Sequence, residues 1–276
     1  MRELVSEAIG CLAIGMLHAG VRYAGIRRHG QAIHLLELDP ARVSLAATGD
    51  GAVSECLTVM DTIKRWADRR PVACFAGMFA NYRQPLDRPE GGIVRDGATI
   101  VDNLPTRSGR TLARSYLAQD GSSFLIGDAM AGQNVADTLA HLDGHNIRHF
   151  TGGLARLLRE GRYCGAWATK EQAFGPLVMS PYIMQPRTAA GIMANGNLLV
   201  AIHASGAIPV YGGATTTKLA EFLQAFGCAD PDYAIQDAVM FDGGGSNCLV
   251  IPKIGLCYHE LPEPRKLPTF MVVLPT

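Results

Sequence analysis

Residues 238–251 read AVMFDGGGSNCLVI, an apolar run followed by an acid, three glycines, two small polar residues and a second apolar run. Short apolar runs bounded by turn residues are typical of buried strands. We therefore predict a strand over 238–241, a loop over 242–247 and a return strand over 248–251. Three successive glycines exceed the needs of an ordinary hairpin, so this loop is also the first candidate for a functional site.

A second pair of strand-like runs lies upstream, over 188–194 and 198–203. The dipeptide Asn195-Gly196 joins them, and it favours a two-residue type I′ turn because both central residues then adopt positive φ. Between the two strand pairs, apolar residues at helical spacing predict an amphipathic helix that begins after Thr215 and ends at Gly227.

The rest of the chain also consists mostly of short strand-like runs with a few helices. Strands are expected over 33–38, 43–47, 72–75 and 123–126, a helix after the N-cap Thr58, a short helix between Asn134 and Gly144, and a long loop over 81–97. Strands outnumber helices and no βαβ rhythm is present. The sequence therefore predicts one α+β domain over residues 1–276, with a mixed or antiparallel sheet and a few flanking helices.

Composition excludes several classes of partner. Lys+Arg and Asp+Glu number 25 each, and charged residues form 18% of the 276 residues, which argues against nucleic-acid binding and against electrostatic attachment to a membrane. Seven cysteines without metal-type spacing are expected as free, mostly buried thiols of a reducing compartment. The apolar segment 8–17 follows two glutamates and lacks a cleavage signal, so we expect a cytoplasmic protein.

Three side chains stand where they could carry chemistry. Asp242 follows a strand and precedes glycines whose N–H groups could bind an anion, although a tight turn with a solvated aspartate has the same pattern. Arg187 begins a strand and offers a planar fork of donors for phosphate or carboxylate, although a lone arginine is more often a surface charge. His203 ends a strand as a candidate proton donor or as a structural histidine.

A metal site is not predicted. His141, His145 and His149 recur every four residues, but Gly144 and Asn146 interrupt the helix that would align them. We therefore interpret the spacing as accidental. The common hydrolase and nucleotide-binding motifs are absent from the sequence as well.

Taken in chain order, several segments resemble the motifs of the phosphodiester glycosidase family. These segments are Gly20-Val21-Arg22-Tyr23, residues 33–39, Ala76-Gly77-Met78-Phe79, Gly152-Gly153 with residues 157–161, Arg187-Thr188-Ala189-Ala190-Gly191, the threonine-led helix of residues 215–227, and residues 241–246. One position departs from the pattern, since the asparagine expected before Ala76-Gly77 is Phe75. We expect that this change replaces a polar pocket group with an apolar ring and alters the substrate.

The resemblance implies a hydrolase that cleaves a sugar-1-phosphodiester at the anomeric C–O bond. Arg187 and the N–H groups of the glycine loop would bind the phosphate. Asp242 would act as base, nucleophile or stabiliser of the cationic sugar, and His203 as acid. Asp237 is a candidate second carboxylate. The expected substrate-binding residues are Gly77, Gly153, Thr188, Thr216, Thr217, Gly243, Gly244, Gly245, Ser246 and Asn247.

Two other functions remain open at this point: a carbohydrate- or phosphate-binding module without catalysis, and a biosynthetic glycosyl-phosphate transferase. The expected ligand is a small sugar phosphodiester or a molecule similar to a nucleotide sugar. No cofactor is expected, with a divalent cation as the alternative, and no nucleic acid or membrane partner is expected. Self-association into a homo-oligomer is left open.

Overall fold

The computed structural model describes residues 10–28, 31–49, 56–77, 89, 91–102, 106–107, 110–111, 114–130, 133–164, 183–205 and 212–276. Within these ranges the α-helices are α1 (Val59–Arg65), α2 (Val135–Ala140) and α3 (Thr216–Ala229). The strands are β1 (Gly10–His18), β2 (Val21–Arg28), β3 (Gln31–Leu38), β4 (Val43–Ala47), β5 (Ala73–Ala76), β6 (Ile93–Arg95), β7 (Ala98–Val101), β8 (Thr106–Arg107), β9 (Arg110–Thr111), β10 (Arg114–Gln119), β11 (Phe124–Ala129), β12 (His149–Arg159), β13 (Arg162–Tyr163), β14 (Arg187–Met193), β15 (Leu198–His203), β16 (Ile235–Met240), β17 (Cys248–Ile251), β18 (Leu256–His259) and β19 (Phe270–Pro275).

Two antiparallel sheets form the framework. The larger one runs in the order β1-β2-β3-β15-β14-β16-β12-β10-β11, with β6 and β13 also paired to β12 and β7 paired to β6. The second sheet runs in the order β18-β17-β5-β19-β4. Every strand pairing within the described residues is antiparallel, so the mixed sheet that the sequence left open is not found there.

The sheets pack face to face, and a helix covers the outer face of each. Leu36, Val200 and Val239 of the larger sheet lie in the apolar core between the sheets, together with side chains of β4, β5, β17 and β19. The alternate residues of the same strands, such as Leu35 and Ala201, pack against α3. On the far side, α1 covers the second sheet. The layers are therefore helix, sheet, sheet, helix.

The predicted partner of the second apolar run is wrong. Residues 248–251 do form a strand, β17, but it pairs with β5 and β18 of the second sheet and not with β16. The loop over 242–247 is consequently a crossover from one sheet to the other. Alternation of apolar residues indicates a strand but does not specify its partner, which is why the pattern favoured a hairpin.

Two local predictions also differ in detail. The hairpin of β14 and β15 is confirmed, but its turn has three residues: Gly196 N–H donates to the Met193 carbonyl at 2.9 Å and only Gly196 of the turn has positive φ, +86°. Gly227 does not end α3, which continues to Ala229. A Cβ at Gly227 would lie 2.7 Å from the Ala234 Cβ, so a glycine is needed where the turn after the helix packs closely against it.

Other expectations are confirmed or corrected by the same geometry. The side chains of Thr58 and Asn134 cap α1 and α2 as predicted. The segment considered as an export signal forms β1 where it is described, and β6 occupies part of the predicted long loop, most of which lies outside the described residues. Of the six cysteines whose side chains are described, only Cys74 and Cys248 are buried, contrary to the expectation of mostly buried thiols. No helix in the described ranges is long and apolar enough to cross a membrane.

Candidate active site

The crossover loop over 242–247 is fastened to both sheets at the edge where their strand ends meet. Asp242 N–H donates to the Gly77 carbonyl, just after β5, at 3.0 Å. Gly244 N–H donates to the Pro186 carbonyl, just before β14, at 2.9 Å. A Cβ on Gly243 would lie 2.6 Å from the Pro186 oxygen, so a glycine is needed for this close approach. The structure thus brings the predicted residues Gly77, Gly243 and Gly244 together with Arg187.

Asn247 ends the loop and connects three strands through its buried carboxamide. Its Oδ1 accepts a short hydrogen bond from the Thr188 hydroxyl, and its Nδ2 donates to the His203 carbonyl at 2.8 Å. Nδ2 also lies 3.4 Å from the Tyr258 hydroxyl. These bonds use the polar atoms of Asn247 and the hydroxyl of Thr188 within the protein. Both predicted residues therefore lie at the site, where they hold the loop in place.

The Asp242 side chain is 3% exposed, and its Oδ1 accepts the N–H of Gly243 at 2.9 Å. The amides of Gly244, Ser246 and Asn247 donate to backbone carbonyls. With the amide of Asp242, five N–H groups of the loop are already used inside the protein, so the structure does not support the predicted anion-binding role for the amides of Gly243 and Gly244. The buried carboxylate remains the chemically distinctive group of the loop.

The remaining loop residues pack against the segment that follows β18. The Ser246 hydroxyl is buried and accepts from Arg265 Nη1 at 3.4 Å. A Cβ on Gly245 would lie 3.1 Å from a methyl group of Leu261. The loop is therefore supported from this side too.

Arg187 begins β14, and its guanidinium is held from several directions although the side chain is only 2% exposed. Nε donates to the Ala214 carbonyl at 3.2 Å, and Nη2 donates to the Ile183 carbonyl at 3.1 Å. With the Gln185 carboxamide turned so that its oxygen faces the guanidinium, Oε1 accepts from Nη1 at 2.8 Å. These three acceptors are uncharged, so they orient the guanidinium without neutralising it. Burial lowers the pKa of Arg187 to about 10, which still leaves the group positive at neutral pH.

His203 lies directly opposite Arg187 in the β14–β15 pair, so both side chains leave the same face of the sheet. The His203 ring packs edge-on against Phe222 of α3, with 5.0 Å between ring centroids. A cavity of about 530 Å³ opens there, with His203, Phe222, Met184 and Lys218 in its lining. We call it the Arg187 cavity, because Ala214, which accepts from Arg187, also lines it. The lining combines apolar surface with an imidazole, the cation of Lys218 and the carboxylate of Glu221, which suits an organic ligand that carries polar groups.

The N-terminus of α3 adjoins the same cavity. Ala214, which accepts from Arg187, lies in the cavity lining just before the helix. Thr216 is buried, and its Oγ1 lies 2.8 Å from the hydroxyl of Tyr163. Thr217 is half-buried at the second position of the helix. Both predicted threonines therefore lie in the chain between Ala214 and Lys218, two lining residues of the cavity, and Thr216 is turned toward Tyr163.

Gly152 and Gly153 form a bulge in β12, opposite the single residue Tyr116 of β10. Gly153 has φ of +73°, which favours glycine. Because Ala155 pairs with Met240, continuing that register places Gly153 level with Asp242. The strand carrying Gly153 thus borders the crossover loop.

Phe75 does not face this site. Its ring is fully buried between the sheets and meets Phe241 edge-on, with ring centroids 5.7 Å apart. The expected replacement of a pocket group by an apolar ring is therefore corrected: the ring fills the core directly beneath the loop. The reason is the strand alternation of β5, which turns Phe75 inward while Cys74 and Ala76 face α1.

Asp237 and the three histidines are not brought to Asp242. Asp237 lies inside β16, five residues or roughly 16 Å along the strand from Asp242, and it forms an ion pair with Arg156. His145 binds Asp120 at 2.7 Å. His141 caps the end of α2, and His149 belongs to β12. These four side chains therefore serve other parts of the fold.

Several residues of the site gave no clear signal in the sequence. Tyr163 lies in a two-residue strand without periodicity, and Gln185 precedes the arginine motif in an irregular segment. Tyr258 and Glu260 form a buried network in which Glu260 accepts from the hydroxyls of Tyr258 and Ser205. The alternation of polar residues at 258 and 260 was the available signal, since i and i+2 share one face of a strand.

Comparison with known proteins bears on the family and the fold. A family model described as phosphodiester glycosidase matches residues 70–274. No functionally curated protein matches the sequence.

Three solved structures share the fold. The catalytic domain of zebrafish N-acetylglucosamine-1-phosphodiester alpha-N-acetylglucosaminidase, auto-inhibited by its pro-peptide, is 19% identical with a TM-score of 0.64, and the match covers 96% of this chain and 82% of that one. A hypothetical protein from Synechocystis is 13% identical with a TM-score of 0.64, covering 98% and 65%. A putative exported protein from Burkholderia pseudomallei is 14% identical with a TM-score of 0.62, covering 91% and 74%.

Proposed function

The chain belongs to the phosphodiester glycosidase family, and on that premise we propose that it hydrolyses a sugar-1-phosphodiester at the anomeric C–O bond, releasing the free sugar and a phosphate monoester. The observation that carries the proposal is the meeting of Arg187, a buried cation, with the loop of Asp242, a buried carboxylate. The backbone contact between Gly244 and Pro186 places these two motifs side by side.

The chemistry of the leaving group explains why such a site suffices. A phosphate monoester leaves readily from the anomeric carbon, so cleavage needs less proton donation than an ordinary glycoside does. Negative charge builds up on the departing phosphate in the transition state. A guanidinium that is already oriented by Ala214, Ile183 and Gln185 stabilises that charge without reorganising during the reaction.

Asp242 has the complementary role at the sugar. Its carboxylate stabilises positive charge on the anomeric carbon, and it acts either on a water molecule as base or on that carbon as nucleophile. His203, which shares a face with Arg187, is the proposed proton donor. Thr216 and Thr217, which lie in the chain between the lining residues Ala214 and Lys218, are proposed to contact substrate, while Asn247 and Thr188 are assigned to holding the loop.

The proposed substrate is a small sugar phosphodiester or a nucleotide-sugar-like molecule, hydrolysed in the cytoplasm without a cofactor. The support for an organic phosphate is the 530 Å³ cavity beside Arg187, which is lined by Phe222, Met184 and Lys218. Its size is at the smaller end of the roughly 300–1,000 Å³ typical of ligand pockets.

The test is incubation of the purified protein with methyl N-acetylglucosamine-1-phosphate and with a uridine diphosphate sugar, with products identified by NMR. We expect free sugar and a phosphate monoester from the wild type. Asp242→Asn should lower kcat by about 100-fold or more, while Asp143→Asn, which changes an exposed aspartate, should leave turnover unchanged.

Other products would decide between the remaining functions. Saturable binding of the phosphodiester without any turnover would mean a binding module. Formation of a new glycoside when an alcohol acceptor is added, with little free sugar, would mean a transferase. The position of Phe75 in the core gives no support to the binding module, because its ring does not face the site.

A further inference from the structure

A second cavity, of about 390 Å³, lies beside the C-terminal end of α1. Its lining includes Arg65 and Trp66 from the end of the helix, Arg69 from the following turn, Arg95 from the end of β6, and Thr48 and Pro268 from the edge of the second sheet. We call it the arginine cavity. Among the described residues, three arginines and one carboxylate, that of Asp68, contribute to the lining, so the wall carries an excess of positive charge.

The guanidinium groups are arranged around the Trp66 ring. The guanidinium carbons of Arg69 and Arg95 lie 5.2 and 5.4 Å from the ring centroid, within the range of a cation–π contact. Arg69 is also held by a two-point ion pair with Asp96, at 3.0 and 3.1 Å. Arg95 Nη1 donates to the Gly49 carbonyl at 3.0 Å. Two of the three arginines are therefore oriented before any ligand arrives.

The pKa shifts of neighbouring titratable groups reflect the positive potential of the cavity. Hydrogen bonding and attraction from Arg69 keep the pKa of the Asp96 carboxyl below its usual value despite partial burial. Burial is the main reason that the pKa of His149 falls to about 4; Asp96 acts against this shift, and Arg69, Arg148 and Arg95 add to it. A protonated His149 is thus disfavoured beside these arginines, whereas an anion would be favoured there.

We propose that the arginine cavity binds a small organic phosphate, a phosphate monoester about the size of a sugar phosphate. Guanidinium groups that approach from separate elements suit the several oxygens of a phosphate, which can accept from more donors than a carboxylate can. The volume is at the lower end of the range for small-molecule pockets, so it admits the phosphate together with a compact organic group. The proposal stands independently of the reaction assigned to Arg187.

The arginine cavity is separate from the Arg187 cavity, but a short chain of backbone contacts connects it to the crossover loop. Thr48 lines the arginine cavity, and its hydroxyl accepts from Phe270 N–H at 2.8 Å. The preceding residue, Thr269, contacts Gly77, whose carbonyl in turn accepts from Asp242 N–H. Among the residues that the structure describes, none lines both cavities.

Trp66 offers a local probe of binding. The chain has two tryptophans, so Trp167→Phe leaves Trp66 as the only fluorophore of that kind. Titration of this variant with glucose 6-phosphate should change the Trp66 emission saturably, and calorimetry on the wild type should give the same Kd. Arg65→Gln and Arg69→Gln, which change exposed side chains, should each raise that Kd about tenfold or more. The matched control Arg27→Gln alters an exposed arginine on the larger sheet and should leave the Kd unchanged.

Inorganic phosphate and malonate distinguish what is recognised. Tighter binding of glucose 6-phosphate than of inorganic phosphate supports the proposal and shows that the organic group contributes to binding. Equal binding of the two also supports the proposal, without a contribution from the organic group. Equally tight binding of malonate would overturn the assignment to phosphate. An absence of saturable binding up to about 10 mM, or the same loss in Arg27→Gln as in Arg65→Gln, would overturn the site itself.

Discussion

Replacing Phe75 with the asparagine of the family motif should strongly destabilise the protein. The Phe75 ring is fully buried, its cross-strand neighbours are Leu249 and Met271, and Phe241 of the other sheet meets it edge-on. Truncating a buried phenylalanine costs about 3–5 kcal/mol. Burying the asparagine amide without a partner adds about 1–3 kcal/mol. The expected loss in Phe75→Asn is therefore about 4–8 kcal/mol, against a typical total stability of about 5–15 kcal/mol.

Equilibrium urea unfolding, followed by circular dichroism, measures this loss. The matched variant Phe75→Leu keeps an apolar side chain and gives up mainly the aromatic pair and some volume, so it should cost only about 1–2 kcal/mol. A Phe75→Asn protein within about 1 kcal/mol of the wild type would refute the placement of this ring in the core. It would mean that position 75 faces a polar pocket after all.

Three further predictions concern the supports of the site and the pH range. Thr188→Val leaves the Asn247 carboxamide without its donor and should lower the free energy of unfolding by about 1–2 kcal/mol; a double-mutant cycle with Asn247→Leu should show coupling, and additive losses would contradict the bond. Gly243→Ala places a Cβ 2.6 Å from the Pro186 oxygen and should lower kcat about 100-fold, whereas Gly15→Ala, with no atom within 4 Å, should be neutral in the same assay. Burial lowers the pKa of His34 and of His149 to about 4. The unfolded chain therefore binds protons at these histidines near pH 6.5, whereas the folded protein binds them only near pH 4. The free energy of unfolding should consequently fall between pH 6.5 and 4, by up to about 3 kcal/mol per histidine, and a urea midpoint that is unchanged over this range would count against it.

Local structure was predictable wherever short-range chemistry decides it. The caps Thr58 and Asn134 and the strands of the 187–203 hairpin were found because each depends on residues within a few positions. The turn at Asn195 was mispredicted in type, since the same dipeptide also fits a three-residue loop in which only Gly196 needs positive φ.

Long-range pairing was not predictable from alternation. The apolar run over 248–251 is a strand, but only the packing of two sheets determines that it pairs with β5 across the crossover loop. The inward direction of Phe75 is of the same kind, because it depends on which face of β5 meets the other sheet. Motif resemblance placed Phe75 in a pocket, and register places it in the core.

The candidate site was partly predictable. Arg187 and Asp242 were chosen for their residue types and their motifs, and the structure brings those motifs together. The carbonyls that orient Arg187, and the occupation of the loop amides by Pro186 and neighbouring carbonyls, depend on tertiary contacts that no local pattern encodes. The proposed phosphate-binding group is therefore Arg187, since the amides of Gly243 and Gly244 already donate within the protein.

The most direct test of the central claim is the effect of Arg187→Gln on kcat/KM for two substrates of the same sugar, one a 1-phosphodiester and one a neutral aryl glycoside. If Arg187 stabilises charge on the departing phosphate, kcat/KM for the phosphodiester should fall about 100-fold or more while that for the neutral glycoside changes little. Urea unfolding should first establish that the variant is folded. Equal losses for both substrates, or no loss for the phosphodiester, would contradict the account.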